Sequence, residues 1–277
     1  MKVLSLDAYT LKCIAVIAMI MNHIAIAWYT ILPFGAYLLL YAVGGLTYTI
    51  MAYFVVEGYR NTSSLKKYIS RLLIFGLIAQ AFHPMVLGTT SVMPGIFLNI
   101  MFTITLSLIV LLMYDKIKIR ILFWFLFVAA CAVSLFMDLF FIGVLIPLLY
   151  YAIKKESRRR TLPGVVSGTF WGLIGALSIL GAVSLKALKN TPGMEQEAQY
   201  MLESFGVESF DFFVQLAFAT LTFAIGCFAG AILIRNYNGE RGKPAKWLFY
   251  VAYPLHLAII AGISVALGIT QFRLFGF

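Results

Sequence analysis

Long apolar runs recur along the whole chain, and they constrain its fold more than any other feature of the sequence. Stretches of about 20 hydrophobic residues follow one another, separated by short polar segments. Hydrophobic residues make up 62% of the 277 residues and charged residues 12%, which is more apolar surface than a water-exposed domain needs. The sequence therefore predicts an all-α, polytopic integral membrane protein.

We predict about nine transmembrane helices, within a range of eight to ten, in one domain that covers residues 1–277. The first apolar run is too long for the core of a signal peptide and lacks a following cleavage site, so we expect a retained span. The short segment after Met137-Asp138 leaves a tilted or re-entrant helix as an alternative to a full crossing. The predicted spans are 12–31, 36–59, 68–88, 96–114, 119–137, 139–153, 163–185, 212–234 and 246–268.

The distribution of charge predicts the orientation of these spans. With a cytoplasmic amino terminus, all basic residues except Lys186, Lys189 and Arg273 fall on the cytoplasmic side, as the positive-inside rule requires. The predicted outer loop over 186–211 is acidic. The spacing of its apolar residues fits a short surface helix and a linker equally well. Five acidic residues lie in this loop: Glu195, Glu197, Glu203, Glu208 and Asp211.

The net charge of +10 is therefore explained by membrane orientation and by attraction to anionic lipids, and we predict no nucleic-acid partner. A cytoplasmic membrane of a bacterium fits this pattern, with the carboxyl terminus outside. The three cysteines, Cys13, Cys131 and Cys227, lie in predicted spans and lack the spacing of metal ligands. We predict neither a disulfide framework nor a metal site.

All three histidines lie within predicted spans, where an ionisable group usually faces a pocket or a polar pathway. By depth alone, His23 in the first span and His256 in the last can meet inside the membrane, while His83 lies nearer the outer face. Tyr253 and Pro254 precede His256, and the proline removes one helical hydrogen bond beside it. Histidine is a common general base, although a hydrogen-bonded packing role remains the alternative for each.

Basic residues near the cytoplasmic surface suggest a site for a phosphate-bearing ligand. Lys12 lies eleven residues before His23, a helical rise of about 16 Å. The turn between spans two and three is expected to bring Glu57 and Arg71 together, most simply as an ion pair. Snorkelling of Lys12 and a purely topological role for the neighbouring lysines are the alternatives. The cluster around that turn comprises Glu57, Tyr59, Lys66, Lys67, Tyr68 and Arg71.

Further polar residues lie deeper in the predicted spans. Asn99, Thr103 and Thr105 belong to the fourth span, and Asp138 marks the outer end of the fifth. They either line a cavity or bond neighbouring helices to one another, and we favour helix-to-helix bonding for the threonines.

Several of these residues form motifs that resemble the TraX family. The motifs are Leu11-Lys12-x-x-Ala15-x-x-x-Met19-x-x-Asn22-His23-Ile24, Glu57-Gly58-Tyr59-x-x-Thr62, Lys67-Tyr68-x-x-Arg71-Leu72 and Tyr250-x-x-Tyr253-Pro254-Leu255-His256-Leu257. The resemblance implies an integral-membrane acetyltransferase that modifies the amino terminus of pilin-like peptides, with acetyl-CoA as acyl donor. The spacing of Lys12 and His23 also resembles that of the acyltransferase-3 membrane enzymes, in which the histidine is taken to be catalytic.

The resemblance implies a catalytic group of His23, His256, Asn22 and Tyr253. It implies a donor-binding group of Lys12, Arg71, Glu57, Tyr59, Lys67 and Tyr68. Two positions of this chain depart from the family pattern. The family often has Asp where this chain has Asn22, and it tends to have Arg where this chain has Gly45. The alternatives are O-acylation of a glycan or lipid headgroup, proton-coupled transport by the histidines and, least consistent with them, a structural scaffold. Membrane lipids are the other expected partners.

Overall fold

The structure is a computed structural model that describes residues 5–87, 97–197, 200 and 210–270. Ten α-helices account for most of these residues, and no strand occurs among them, so the all-α prediction is confirmed. Part of the acidic outer loop, including Met201, Leu202 and Phe205, lies outside the described residues. The helices are α1 (Ala8–Ala27), α2 (Phe34–Asn61), α3 (Leu65–Gln80), α4 (His83–Leu87), α5 (Ile100–Lys116), α6 (Arg120–Ser134), α7 (Phe140–Ala152), α8 (Glu156–Lys189), α9 (Phe210–Arg235) and α10 (Lys246–Ala266).

Five of these helices, α1, α2, α8, α9 and α10, contain an apolar stretch long enough to cross a membrane. Four others, α3, α5, α6 and α7, have 13 to 17 residues each and are shorter than a typical span. The structure is thus that of an integral membrane helix bundle, whereas the exact number of crossings stays a prediction.

The third predicted span is not continuous, which corrects the expected helix over 68–88. Helix α3 ends at Gln80, and α4 begins at His83. Pro84 explains the break, because its ring would collide with the carbonyl group of Gln80 and it has no amide to donate there. The result places His83 in a short helix of its own.

Connections flanked by Lys and Arg gather at one end of the bundle, which we call the basic end: 5–7, 62–64, 117–119, 153–155 and 236–245. Leu6 forms a parallel bridge with Tyr237, so the segment before α1 is held against the α9–α10 connection. The hydroxyls of Tyr59 and Tyr151 both donate to Asp115, which joins the ends of α2, α7 and α5.

Asp7 caps α1 at the basic end by accepting a hydrogen bond of 2.7 Å from the amide of Thr10. This bond is the main reason that the pKa of the Asp7 carboxyl lies below its usual value. The Asp7 cap therefore stabilises the fold at neutral pH, and its contribution is lost as the pH falls through that lowered pKa.

The opposite end of the bundle has its own links. Leu98 bridges Met137 in parallel, which fixes the start of α5 beside the connection between α6 and α7. The indole of Trp28 donates to the hydroxyl of Ser264 at 2.9 Å, so the end of α1 is tied to the end of α10.

Glycines bring α2, α8 and α9 into close contact. A Cβ atom at Gly45 would overlap the carbonyl oxygen of Phe223, and one at Gly226 would overlap that of Ala42. A Cβ at Gly175 of α8 would lie 2.6 Å from the amide nitrogen of Leu221. The three helices therefore pack backbone to backbone, as small residues allow in membrane proteins.

Candidate functional site

A cavity of about 1320 Å³ extends through the bundle from the basic end. Five cationic side chains line its beginning: Lys12, Lys67, Arg71, Arg241 and Lys243. Farther along, the lining includes His23 and Tyr253, and then Asp138 near the opposite end. The cavity thus connects a positively charged mouth with ionisable groups inside the bundle.

Helices α1 and α10 bring His23 and His256 into contact, as their predicted depths indicated. The Nε2 atom of His256 lies 3.2 Å from the Nδ1 atom of His23, and the ring centroids are 4.8 Å apart. His256 is buried, whereas His23 also lines the cavity. We call these two residues the histidine pair.

The hydrogen bonds of the histidine pair determine where neutral rings carry their protons. Nδ1 of His256 lies 2.8 Å from the carbonyl oxygen of Ala252, so it is the donor and Nε2 is an acceptor. Nδ1 of His23 lies 2.9 Å from the carbonyl oxygen of Met19 and faces that acceptor as well, so it also carries a proton. Nε2 of His23 is left with a lone pair and no partner among the described residues, which suits it to accept a proton.

Tyr253 completes this part of the cavity. Its ring centroid lies 5.4 Å from that of His256 and 6.3 Å from that of His23. Its hydroxyl is buried and makes no hydrogen bond of normal geometry within the described residues. The amide of Ile100 interacts with the hydroxyl oxygen, so the hydroxyl proton is what remains available to a polar atom of a ligand.

Asn22 makes its side-chain hydrogen bond to α2 and not to the ring of His23. Its Nδ2 atom donates to the carbonyl oxygen of Tyr41 at 3.0 Å, and its side chain packs against Gly44. Asn22 lines the cavity but does not bond to the adjacent ring of His23. It ties α1 to α2 instead. No arginine fits at the neighbouring Gly45, because even a Cβ atom would overlap α9 there.

Lys12 lies in the cavity among aromatic rings. Its Nζ atom is 4.7 Å from the centroid of Phe54 and 5.7 Å from that of Phe249. Within the described residues it has no carboxylate partner. A lysine held this way is positioned by cation–π contacts and keeps its charge available to an anion.

The predicted ion pair between Glu57 and Arg71 is wrong. Glu57 instead faces Arg60 and Arg159, each at 3.8 Å, because its side of α2 packs toward the start of α8. Arg71 points toward α10, where its Nε atom donates to the hydroxyl of Tyr250 at 3.4 Å.

The remaining donor-binding candidates separate into two groups. Glu57, Lys67, Tyr68 and Arg71 line the cavity together with Lys12. Tyr59 does not belong to the lining, since its hydroxyl donates to Asp115 at 2.7 Å on another side of the bundle. The structure thus assigns Tyr59 to the contacts that hold helix ends together.

Sequence reasoning missed a second ionisable pair at the far part of the cavity. The Nε2 atom of His83 lies 3.2 Å from an Oδ2 oxygen of Asp138. The two residues are 55 positions apart, and no local pattern links them. Sequence reasoning also interpreted Arg241 and Lys243 only as topology signals. In the structure, both line the mouth of the cavity.

The fold and the cavity define a helical integral membrane protein with ionisable groups along an internal cavity. The chain belongs to the TraX family, whose model, described as TraX protein, matches residues 7–264. It is 24% identical over 276 residues to a protein of Dichelobacter nodosus described as "Probable fimbrial assembly protein FimC, serogroup H1". That similarity covers 94% of this chain and 97% of the relative. No solved structure matches significantly.

Proposed function

We propose that this protein is a membrane-embedded acetyltransferase that transfers an acetyl group from acetyl-CoA to the amino terminus of a pilin-like or other small peptide. One observation carries the proposal: His23 has an unpaired Nε2 atom and lines a cavity whose mouth bears five cations. A base inside the bundle and an anion-binding entrance are what such a transfer requires.

The residues at the mouth fit the acyl donor. Acetyl-CoA carries several phosphate charges at one end of a long, thin arm, and it supplies the acetyl group as a thioester at the other end. Lys12, Lys67 and Arg71, with Arg241 and Lys243, offer charges that complement phosphates. The eleven-residue separation of Lys12 and His23, about 16 Å of helix, leaves room for the arm to extend inward.

The histidine pair supplies the proton transfer. Nε2 of His23 takes a proton from the acceptor amine while the nitrogen–carbon bond forms and the carbon–sulfur bond breaks. The departing sulfur then receives that proton, which yields free CoA and restores neutral His23. The unpaired hydroxyl of Tyr253 donates to the thioester oxygen as its negative charge develops, in a site of low dielectric constant.

The family and the relative support a peptide acceptor. The relative is named for fimbrial assembly, and fimbriae are built from pilin subunits, so we assign a pilin-like peptide to the acceptor side. We also propose that the basic end faces the cytoplasm of a bacterial cell, because positively charged segments are retained there and the donor is made there.

The test uses purified protein in lipid nanodiscs with acetyl-CoA and a peptide that has a free amino terminus. We expect release of free CoA and one added acetyl group on the peptide, measured by a thiol reagent and by mass spectrometry. His23→Ala should abolish both. Tyr59→Phe, outside the cavity, is the matched control and should behave as the unmodified protein.

Turnover by His23→Ala at the normal rate would overturn the assignment of the base. Absence of any acyl transfer, together with peptide or ion uptake driven by a pH gradient in proteoliposomes, would favour a transporter. Transfer to a sugar or lipid hydroxyl in place of the amine would retain the reaction class and change the acceptor.

A further inference from the structure

His83 and Asp138 form a buried pair at the part of the cavity farthest from the basic end. His83 is only 1% exposed, and the Asp138 side chain is 15% exposed. Asp138, but not His83, contributes to the cavity lining. The carboxylate therefore faces the cavity while the imidazole supports it from behind with a hydrogen bond of 3.2 Å.

The backbone around Asp138 is held in an unusual conformation. Leu139 and Phe140, the next two residues, have φ angles of 67° and 49°. Residues other than glycine rarely adopt this left-handed backbone conformation. The hydroxyl of Thr103 donates to the carbonyl oxygen of Asp138 at 2.9 Å, and Leu98 accepts from its amide. Strained backbone that the surroundings enforce in this way is often found where a side chain must be aimed at a ligand.

Aromatic rings surround the cavity beside this carboxylate. Phe97 stacks on His83 and meets Phe140 edge to face, with centroids 5.9 Å apart, and both phenylalanines line the cavity together with Tyr41. A carboxylate among aromatic faces is a favourable setting for a primary ammonium ion, because the charge pairs with the acid and the rings attract the cation.

One cavity connects the pair of His83 and Asp138 with the histidine pair. The lining of that cavity includes Asp138, Tyr41, Tyr253 and His23. A cation bound at Asp138 thus lies in the same cavity as the unpaired Nε2 atom of His23.

We infer that Asp138, positioned by His83, binds the primary ammonium group of the acceptor through a charge-assisted hydrogen bond. This inference rests on the proposed function and adds the place where the acceptor is held. The ion pair offsets the cost of placing an ammonium ion inside the bundle, since isolated buried charges are costly. Asp138 is the acceptor-binding residue in this scheme, and His83 is a positioning residue.

The decisive experiment measures binding separately from turnover. The probe is a leucine tripeptide amide with a free amino terminus, and its N-acetylated form is the matched control. Binding to the protein in nanodiscs is measured by isothermal titration calorimetry without acetyl-CoA. We expect the free-amine probe to bind, the acetylated probe to bind at least tenfold more weakly, and Asp138→Asn to weaken free-amine binding about 100-fold.

Two further variants separate a local role from general damage. His83→Gln keeps a donor toward Asp138, so it should weaken binding less than Asp138→Asn, by about tenfold. Asp115→Asn alters an aspartate bonded to tyrosines outside the cavity and should leave binding unchanged. If Asp138→Asn does not fold, as judged by its melting transition, Asp138→Glu replaces it; this variant retains the charge but displaces it by one methylene, and should bind more weakly than the unmodified protein.

In turnover assays, Asp138→Asn should raise the KM for the peptide and leave the KM for acetyl-CoA within about twofold. Equal binding of both probes, or unchanged free-amine binding by the folded Asp138 variant, would overturn the inference. Amine binding that depends on Asp138 in a protein with no acetyl transfer would instead overturn the proposed function and support the amine site.

Discussion

Two histidine sites lie along one cavity, and they differ in the group that each imidazole faces. His23 faces a second imidazole, His256, whereas His83 faces the carboxylate of Asp138. Two neutral rings can accept and return a proton without binding an ion, while a carboxylate can hold a cation in place. The chemistry available to a buried histidine therefore depends on its neighbour as much as on its depth.

The largest expected difference is between removal of His23 and removal of His83. His23→Ala should lower kcat about 1000-fold, since general-base catalysis contributes on that order. His83→Ala should leave kcat within about threefold and act mainly on the KM for the peptide. Steady-state kinetics with both substrates varied distinguishes the two, and equal losses of kcat would remove the distinction between the sites.

A smaller effect is expected from His256, which accepts a hydrogen bond from His23. His256→Leu should lower kcat about tenfold, the equivalent of one hydrogen bond of about 1.4 kcal/mol. His256→Gln restores an acceptor at that place and should recover most of the rate. If the glutamine and leucine variants were equally slow, His256 would have a role beyond orientation of the His23 ring.

Neighbouring lysines at the basic end offer a matched pair for the donor side. Lys67 lines the cavity, whereas Lys66 does not. Lys67→Ala should raise the KM for acetyl-CoA about fivefold, as expected for one exposed charge contact of up to about 1 kcal/mol, with kcat unchanged. Lys66→Ala should have no effect on either constant. Equal effects of the two variants would indicate general attraction by surface charge.

The smallest effect on turnover is expected at Asn22. Asn22→Ala removes the hydrogen bond to the carbonyl oxygen of Tyr41 and should lower the free energy of unfolding by about 1 kcal/mol, seen as a lower melting temperature. Its kcat should stay within about twofold. A loss as large as that of His256→Leu would mean that Asn22 orients His23 after all.

The parts of the structure that depend on local sequence were predictable. Apolar length gave the helices, and the depth of His23 and His256 along theirs indicated that the rings can meet. Pairings between distant helices were not predictable, because they depend on which side of each helix faces its neighbour. The sequence therefore paired Glu57 with Arg71, whereas the structure pairs it with Arg60 and Arg159. The hydrogen bond between Asn22 and Tyr41 was likewise not predicted. The break before His83 had a visible cause in Pro84, whose effect on the preceding turn was underestimated.

The contact between Gly45 and Gly226 and their opposing carbonyl groups has a mechanical consequence. Backbones that touch directly leave no layer of side chains that can repack, so α2 and α9 cannot slide without separating. Hydrogen–deuterium exchange should accordingly be slowest in these two helices. Any helix motion that widens the cavity for a bulky substrate is then expected on the opposite wall, where α10 contains Pro254 and His256. Opening on that side would separate the two imidazoles, and closure would restore the hydrogen bond between them.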